Sequence, residues 1–445
     1  MQSQVKLLYV VYHYPPRGGS GVQRALKFTK YLAAFGVQPV VLTAELDGNG
    51  ERELSVAMDH TLDSEVPNDI RVHRIKWVVG SESRDSKAVQ RFIEAASAIV
   101  EAERPDVLLA SMSPFTDTVL ANTLSSRFKL PWIADLRDPW ALDEFQVYPT
   151  AAHRLWAQRQ MGRQLRSAGM IIINTPEAAE LYKRRFHPPE EQSVVSITNG
   201  YDDEDFQATH PSPADRTIFR IVHNGTMHTE MGLRLRRRAI EHALLGRKIR
   251  GMDPLTRSHV FLLNAIHNLR RRRSEIAETI RLTLVGPITK ADREAIERSG
   301  VADLVETPGY LDHVESLQKL LDADLLFLPM HNLPNHRRST VIPGKLYEYM
   351  ASGKPILGAV PQGDARDFLS SCGTAFLCIP DDVHEMERII EHRVLAWRNQ
   401  ERPPASNRDF VRRFERKSLT ADLAKLVFKV CSSPRAPRHC GLEQA

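Results

Sequence analysis

Lys345 and Glu348 stand three residues apart in IPGKLYEYMASGKPI, residues 342 to 356. At helical spacing this pair puts a cation and a carboxylate on one turn. Pro343 suits a first helical turn, and Gly353 followed by Pro355 ends the helix. The start of such a helix offers unpaired N–H groups and the positive end of its dipole. With Lys345 it makes a place to hold a phosphate, and Glu348 can accept from a sugar or ribose hydroxyl. The same two residues also fit a plain surface ion pair.

Two further groups could bind or react. Asp135, Arg137 and Asp138 crowd two acids and a guanidinium into four residues of LPWIADLRDPW. Such a cluster can shift a carboxylate pKa and orient a hydroxyl, or it can satisfy itself and merely fix a loop. Gly18, Gly19 and Gly21 lie between an apolar run and a helical pattern at about 22 to 35. A strand, a glycine loop and a helix make a cradle for a diphosphate, or an ordinary turn. The spacing GGSG is not the dinucleotide fingerprint G-x-G-x-x-G, which argues against a dehydrogenase. Asn224-Gly225-Thr226 gives a second tight turn at which a backbone can meet a phosphate.

Metal chemistry finds little support. Asp203 and Asp205 form a D-x-D, but four acids after Asn-Gly read as a turn and a helix start. His331 and His336 are five apart with no carboxylate in ligand spacing, and fit phosphate or sugar contacts better. Cys372, Cys378, Cys431 and Cys440 show no C-x-x-C pattern, so neither zinc nor a disulfide frame is expected.

The elements that must position these groups alternate. Apolar β-branched runs at 5 to 12, 37 to 43, 105 to 111, 130 to 134 and from Met170 alternate with helical patterns such as 86 to 103. This rhythm predicts parallel, doubly wound sheets, which bind ligands beyond the carboxyl ends of their strands. The rhythm restarts at TIFRIVHNGTMH, after a linker near 207 to 216. Hence residues 1–206 are expected as one Rossmann-like domain and 217–403 as a second. Helices at 404–430 then follow, with a tail at 431–445 lacking a folding pattern. A chain of 445 residues, 42% hydrophobic, suffices for two cores. An apolar run of about eight residues near the N-terminus is too short for a signal peptide, and no run reaches the ~18 needed to span a bilayer. A cytoplasmic setting is expected.

The net charge of +5 fits anionic small molecules, nucleic acid or an anionic membrane. Between Glu230 and Glu275 lie twelve Lys and Arg against four acids, the two bounding residues included, and this stretch reads as a basic insertion. It is either a solvated face or, through residues 234–273, a contact with anionic lipid at the membrane periphery. Few aromatics stand there to stack on bases, so nucleic acid is not expected.

PGKLYEYMASGKPI resembles the donor-site helix of GT-B glycosyltransferases, family 4 and related bacterial polysaccharide enzymes, where it commonly reads P-S-K-L-x-E-Y-x-A-x-G-K-P. YHYPPRGGSGVQR, the D-x-R-D-x-W at Asp135, NGYD, and LVETPGYLDHVESLQKLLDADLLFLP resemble further segments of that family. The resemblance implies two Rossmann-like domains facing a cleft, a last helix crossing back to the first domain, and sugar transfer with retention from a nucleotide sugar. The acceptor would be a polysaccharide, a glycolipid or a lipid-linked saccharide in bacterial surface assembly. It further implies that Glu348 holds the ribose, that Arg24 stands where the family is often basic, and that Gly225 and Thr226 lie under the diphosphate. Tyr310 would neighbour the base, and Asp135, Arg137 and Asp138 would be catalytic or loop-ordering residues on the acceptor side. Neither cofactor nor metal is implied. One departure is Thr340, eight residues before Glu348, where the family often carries a Glu touching the donor sugar. The rival readings are a nucleotide-sugar epimerase and a non-catalytic sugar-nucleotide binder or assembly subunit.

Overall fold

The computed structural model describes residues 4–46, 58–79, 85–112, 114–212, 217–249, 251–334 and 336–432. Part of the linker expected near 207 to 216, most of the segment after 431, and Cys440 fall outside these residues. The chain forms two compact units: residues 1–143, 155–200 and 414–445 make the first, and 144–154 with 201–413 make the second.

The first unit is built on seven parallel strands, β1 (Val5–Val11), β2 (Val37–Ala44), β3 (Arg71–Ile75), β4 (Val107–Met112), β5 (Trp132–Leu136), β6 (Met170–Ile173) and β7 (Ser193–Ser196), in the order β3-β2-β1-β4-β5-β6-β7. Alternation along β1 shows why apolar runs form it: Leu8 and Val10 enter one core with the Ser86–Glu103 and Asp117–Phe128 helices. Leu7, Tyr9 and Val11 enter the opposite core with the Ser20–Leu32 helix and with Leu419, Leu423 and Val427 of the Arg416–Cys431 helix. A strand buried on both faces cannot alternate with polar residues, and it reads as a continuous apolar run.

In the second unit β8 (Phe219–Asn224), β9 (Ile280–Val285), β10 (Val305–Gly309), β11 (Leu325–Pro329), β12 (Ile356–Ala359) and β13 (Ala375–Cys378) form a parallel sheet in the order β10-β9-β8-β11-β12-β13. Strand order reverses at β1/β4 and at β8/β11, and such switch points open crevices at the carboxyl ends of strands.

The basic stretch is not a separate insertion throughout. Its Val260–Arg272 helix is the β8–β9 crossover, with Leu262, Leu263, Ala265, Ile266 and Leu269 in the core. Three of the four arginines at its end are paired: Arg270 with Asp303 (2.7 Å) and Glu278 (2.9 Å), Arg272 with Glu387 (2.9 Å) and Glu391, and Arg273 with Glu275 (2.7 Å) and Glu391 (3.2 Å). Arg270, Arg272 and Arg273 knit the crossover to its neighbours, and Arg271 between them is exposed. Cys372, Cys378 and Cys431 are buried free thiols. Among the described residues no helix is long and apolar enough to cross a membrane.

Candidate functional site

In the second unit the carboxyl ends of β8 and β9 meet at two glycines. Gly225 has φ +110° and Gly286 has φ +126°, and a Cβ on Gly286 would lie 3.1 Å from the Gly225 carbonyl. Only glycine lets these backbones abut in that conformation. Lys345 lies over the same turn, its Nζ 2.7 Å from where a Gly225 Cβ would sit. The ammonium also donates to His223 Nε2 at 3.1 Å, because His223 Nδ1 donates to the Phe327 carbonyl at 2.9 Å. That pair of bonds assigns a neutral tautomer, in accord with a pKa held well below the ordinary histidine value by burial and then by Lys345.

Lys345 is itself pushed down to about 7, by desolvation first and then by the Arg257 guanidinium, against the pull of Glu348. Arg257 lies over the Phe145 ring, 5.4 Å from its centroid. His228 is pushed down to about 3 by burial, then by Arg257, His331 and Lys345. One permanent cation, Arg257, and one that titrates near neutrality, Lys345, therefore lie within electrostatic range of histidines that burial keeps neutral, with Glu348 as a counter-charge in range. A desolvated cluster of this sign favours an anion.

A second network sits on the loop that leads into Lys345. Glu144, 1% exposed, accepts from His331 Nε2, from Ser339 Oγ, and from the N–H and Oγ1 of Thr340 at 3.1 and 3.0 Å. Burial alone would raise its pKa, but the His331, Ser339 and Thr340 bonds outweigh this and lower it. Glu144 is thus spent on holding the loop that carries Thr340. Its segment, residues 144–154, belongs to the second unit, where Tyr148 N–H bonds the Arg247 carbonyl (2.8 Å) and Ala151 N–H that of Leu245 (3.0 Å). Glu144→Gln would set an amide donor against donors and remove the charge, and is expected to cost roughly 1.5–3 kcal/mol in urea unfolding. An unchanged midpoint would show that the network does not hold the loop.

The remaining expectations in this unit are partly revised. The helix runs Lys345–Ser352, so Pro343 precedes it rather than lying in its first turn. The Leu346 and Tyr347 N–H groups bond the Pro343 and Gly344 carbonyls, at 3.0 and 3.3 Å, which leaves the Lys345 side chain rather than a row of bare amides as the positive feature. Glu348 lies on the same turn, half-buried. Asn224 faces inward: its side-chain amide donates to Ser316 O and Oγ (2.7 and 2.9 Å), and its backbone N–H donates to Tyr349 Oη at 2.9 Å. It anchors the turn and does not present its side chain to a ligand. Thr226 is exposed beside it, and Tyr310, just after Gly309 at the end of β10, is 53% exposed. Asp205 pairs with His313 at 3.0 Å and Asp202 caps the Asp203–Ala208 helix, as a helix start requires.

In the first unit the structure separates residues that adjacency in sequence had grouped. Asp135 lies within β5 and is fully buried, and its partner is Arg24 (2.7 Å), not Arg137; both side chains are 1% exposed. Arg24 also donates to the Thr198 carbonyl at 2.8 Å. Asp135 and Arg24 thus neutralise each other inside the unit, which suits the loop-ordering role for Asp135. Arg137 is half-buried and lies against Gly21, with Nη1 2.0 Å from where a Cβ would be. Gly21 is thus a packing glycine within the Ser20–Leu32 helix, while Gly19, φ +91°, opens that helix with no atom near its missing Cβ. Gly18 is buried and Asp138 exposed. His13 is pushed down to about 3 by burial, then by Arg137 and Arg17.

Arg257, His228, His223, His331 and Glu144 were not singled out together by sequence. His331 alone drew notice, as a loop residue. Arg257 follows DPLT without a glycine or a motif, and Glu144 is one acid among several, so local patterns carried no signal for either.

Residues 18–198 match the family model described as glycosyl transferase 4-like domain, and residues 251–394 match glycosyl transferases group 1. With the two parallel sheets these matches, which together span most of the chain, define its class: the chain belongs to the GT-B glycosyltransferases of the family 4 type. Among solved structures it is similar to sucrose-phosphate synthase from Thermosynechococcus elongatus, at 16% identity and TM-score 0.63, over 96% of this chain and 99% of that one. HepE of Anabaena, solved in complex with UDP-glucose, is 16% identical at TM-score 0.60, over 96% and 100%. UDP-GlcNAc 2-epimerase from Methanocaldococcus jannaschii is 9% identical at TM-score 0.52, over 96% and 99%. At these identities the likeness establishes the fold. No curated protein sequence matched the chain.

Proposed function

We propose that this protein moves a hexosyl group, with retention and without a metal ion, from a nucleotide sugar to a saccharide, glycolipid or lipid-linked acceptor in bacterial surface polysaccharide assembly. The observation that carries the reading is the desolvated Lys345 ammonium over the Gly225–Gly286 turn, with the Arg257 guanidinium close enough to act on it, a place suited to the diphosphate of the donor. The family models support transfer, and the binding of UDP-glucose by HepE supports the donor class.

In this reading the anomeric C–O bond to the diphosphate breaks as charge gathers on the leaving oxygen, and Lys345 and Arg257 stabilise it. Glu348 accepts from the ribose. Glu144 is committed to four donors and is not available as a nucleophile. The acceptor oxygen then bonds the anomeric carbon on the face that the diphosphate leaves, and its proton passes to a diphosphate oxygen. Asp138, Arg137 and Gly19 remain candidates on the acceptor-side domain, and Tyr310 and Thr226 candidates at the donor.

The test is release of nucleoside diphosphate from a panel of nucleotide sugars, with and without saccharide acceptors and EDTA. Transfer predicts release that needs an acceptor and survives EDTA. Interconversion of the sugar with no acceptor and no transferred product would favour an epimerase, the reading the archaeal neighbour's fold keeps in view. Binding without turnover would favour the non-catalytic subunit.

The pKa of Lys345 adds a pH dependence. A bound diphosphate favours the ammonium, so the bound pKa lies above the free value of about 7. Nucleotide affinity should hold steady below about pH 7 through this group and fall as pH rises above it, until the bound pKa is passed. Calorimetry across pH 6 to 9 should show the slope for the wild type and none for Lys345→Met. A flat wild-type profile would remove Lys345 from the anion.

A further inference from the structure

The part of the basic stretch that is not knitted into the core has a different character. The Thr229–Arg237 and Ala239–Leu244 helices bury Gly232, Leu235 and His242. Outward, Ile240 is 79% and Leu244 82% exposed, the highest values among the large apolar side chains described, with Leu233 at 36% and Leu245 at 40%. Ile240 and Leu244 stand at i and i+4, so they share one face of their helix. Arg234, Arg237 and Arg238, on the preceding helix and at its end, are also exposed, and none of the three takes part in an ion pair among the described residues. This contrasts with Arg236 and Arg247, which pair with Asp253 and Glu241. The three arginines and Lys290 line a depression of about 500 Å³ together with Glu230, Leu233 and Glu294, and Glu294 is engaged by Arg298 at 2.9 Å and, more loosely, by Lys290 at 3.9 Å.

We infer that residues 229–245 form a docking surface for an anionic phospholipid bilayer: Arg234, Arg237, Arg238 and Lys290 meet the phosphate headgroups, and Ile240 and Leu244 insert among the acyl chains. Unpaired arginines followed by exposed aliphatic side chains on two consecutive short helices match the composition of an interfacial segment. A protein partner of ordinary composition would leave the concentrated positive charge of the depression unanswered, and a bilayer rich in anionic lipid answers it over the whole face. The contact ends before the Val260–Arg272 helix, at whose end Arg270, Arg272 and Arg273 are spent on acids of the same unit.

The experiment is co-sedimentation of the full chain with vesicles of phosphatidylcholine alone, or mixed equally with phosphatidylglycerol, at low and at physiological salt. Each basic side chain near such a surface is worth roughly fivefold in partitioning, so the triple variant Arg234→Gln, Arg237→Gln, Arg238→Gln should bind mixed vesicles about 100-fold more weakly at low salt. The double variant Ile240→Gln, Leu244→Gln should lose at least about tenfold, and its loss should persist at the higher salt, where the charge contribution is screened. Retention of the wild-type thermal transition would show that both variants are folded. Wild-type protein that stays in solution with mixed vesicles at low salt would overturn the inference, as would equal binding to neutral vesicles or full binding by the triple variant.

Discussion

Lys345→Ala is expected to lower turnover by about two to three orders of magnitude while leaving the protein at least as stable as the wild type. The two halves of this result have one cause. Lys345 is desolvated, which is why its pKa falls to about 7, so the folded protein gains little from the ammonium in the absence of an anion. Its Nζ bonds His223 Nε2 and overlies Gly225, which places the charge where a leaving diphosphate would need it. Removing it costs the reaction and not the fold. Kinetics with urea unfolding on the same preparation check both, and Lys345→Arg separates charge from shape: a longer planar group keeps the charge but meets the Gly225 turn differently. Unchanged turnover, or a loss that follows unfolding, would take Lys345 out of the site.

Asp135→Ala is expected to act in the opposite sense, destabilising the first unit by about 3–5 kcal/mol, because it strands the Arg24 guanidinium inside the protein. Arg24→Ala should cost a similar amount by stranding the carboxylate. The double variant Arg24→Met, Asp135→Leu should recover much of either loss, since two buried charges with excellent geometry still carry a large desolvation cost. The cycle of single and double variants, read by urea unfolding, gives the coupling directly. Wild-type stability in Asp135→Ala with abolished turnover would place Asp135 in the chemistry.

These two residues also mark where reading the chain succeeds and where it stops. Strands such as Val5–Val11 and Val107–Met112 and the helix Ser86–Glu103 were legible because burial on both faces or on one stripe imposes a local pattern. Lys345 and Glu348 were legible because one helix sets their spacing. Arg24 and Asp135 are 111 residues apart, and Glu144 is 187 residues from His331; their pairing depends on strand order and on a segment that joins the second unit, which no local pattern encodes. The adjacent Arg137 therefore drew the inference that belonged to Arg24. The arginine runs misled for a related reason. Charge at the end of a core helix looks the same in sequence whether its acids lie nearby in space or not, and only the fold shows that Arg270 and Arg272 are answered while Arg234, Arg237 and Arg238 are not among the pairs.

The central claim is a metal-free nucleotide-sugar site built on Lys345, Arg257 and Glu348. The most direct measurement is a thermal-shift panel of UDP, GDP, CDP and ADP with their common sugars, with and without EDTA, on wild type and Lys345→Ala. A ligand that binds the native state raises the transition by mass action. The account predicts a shift selective for one nucleotide family, indifferent to EDTA and lost in Lys345→Ala; a shift that Lys345→Ala keeps in full, or that EDTA abolishes, would contradict it.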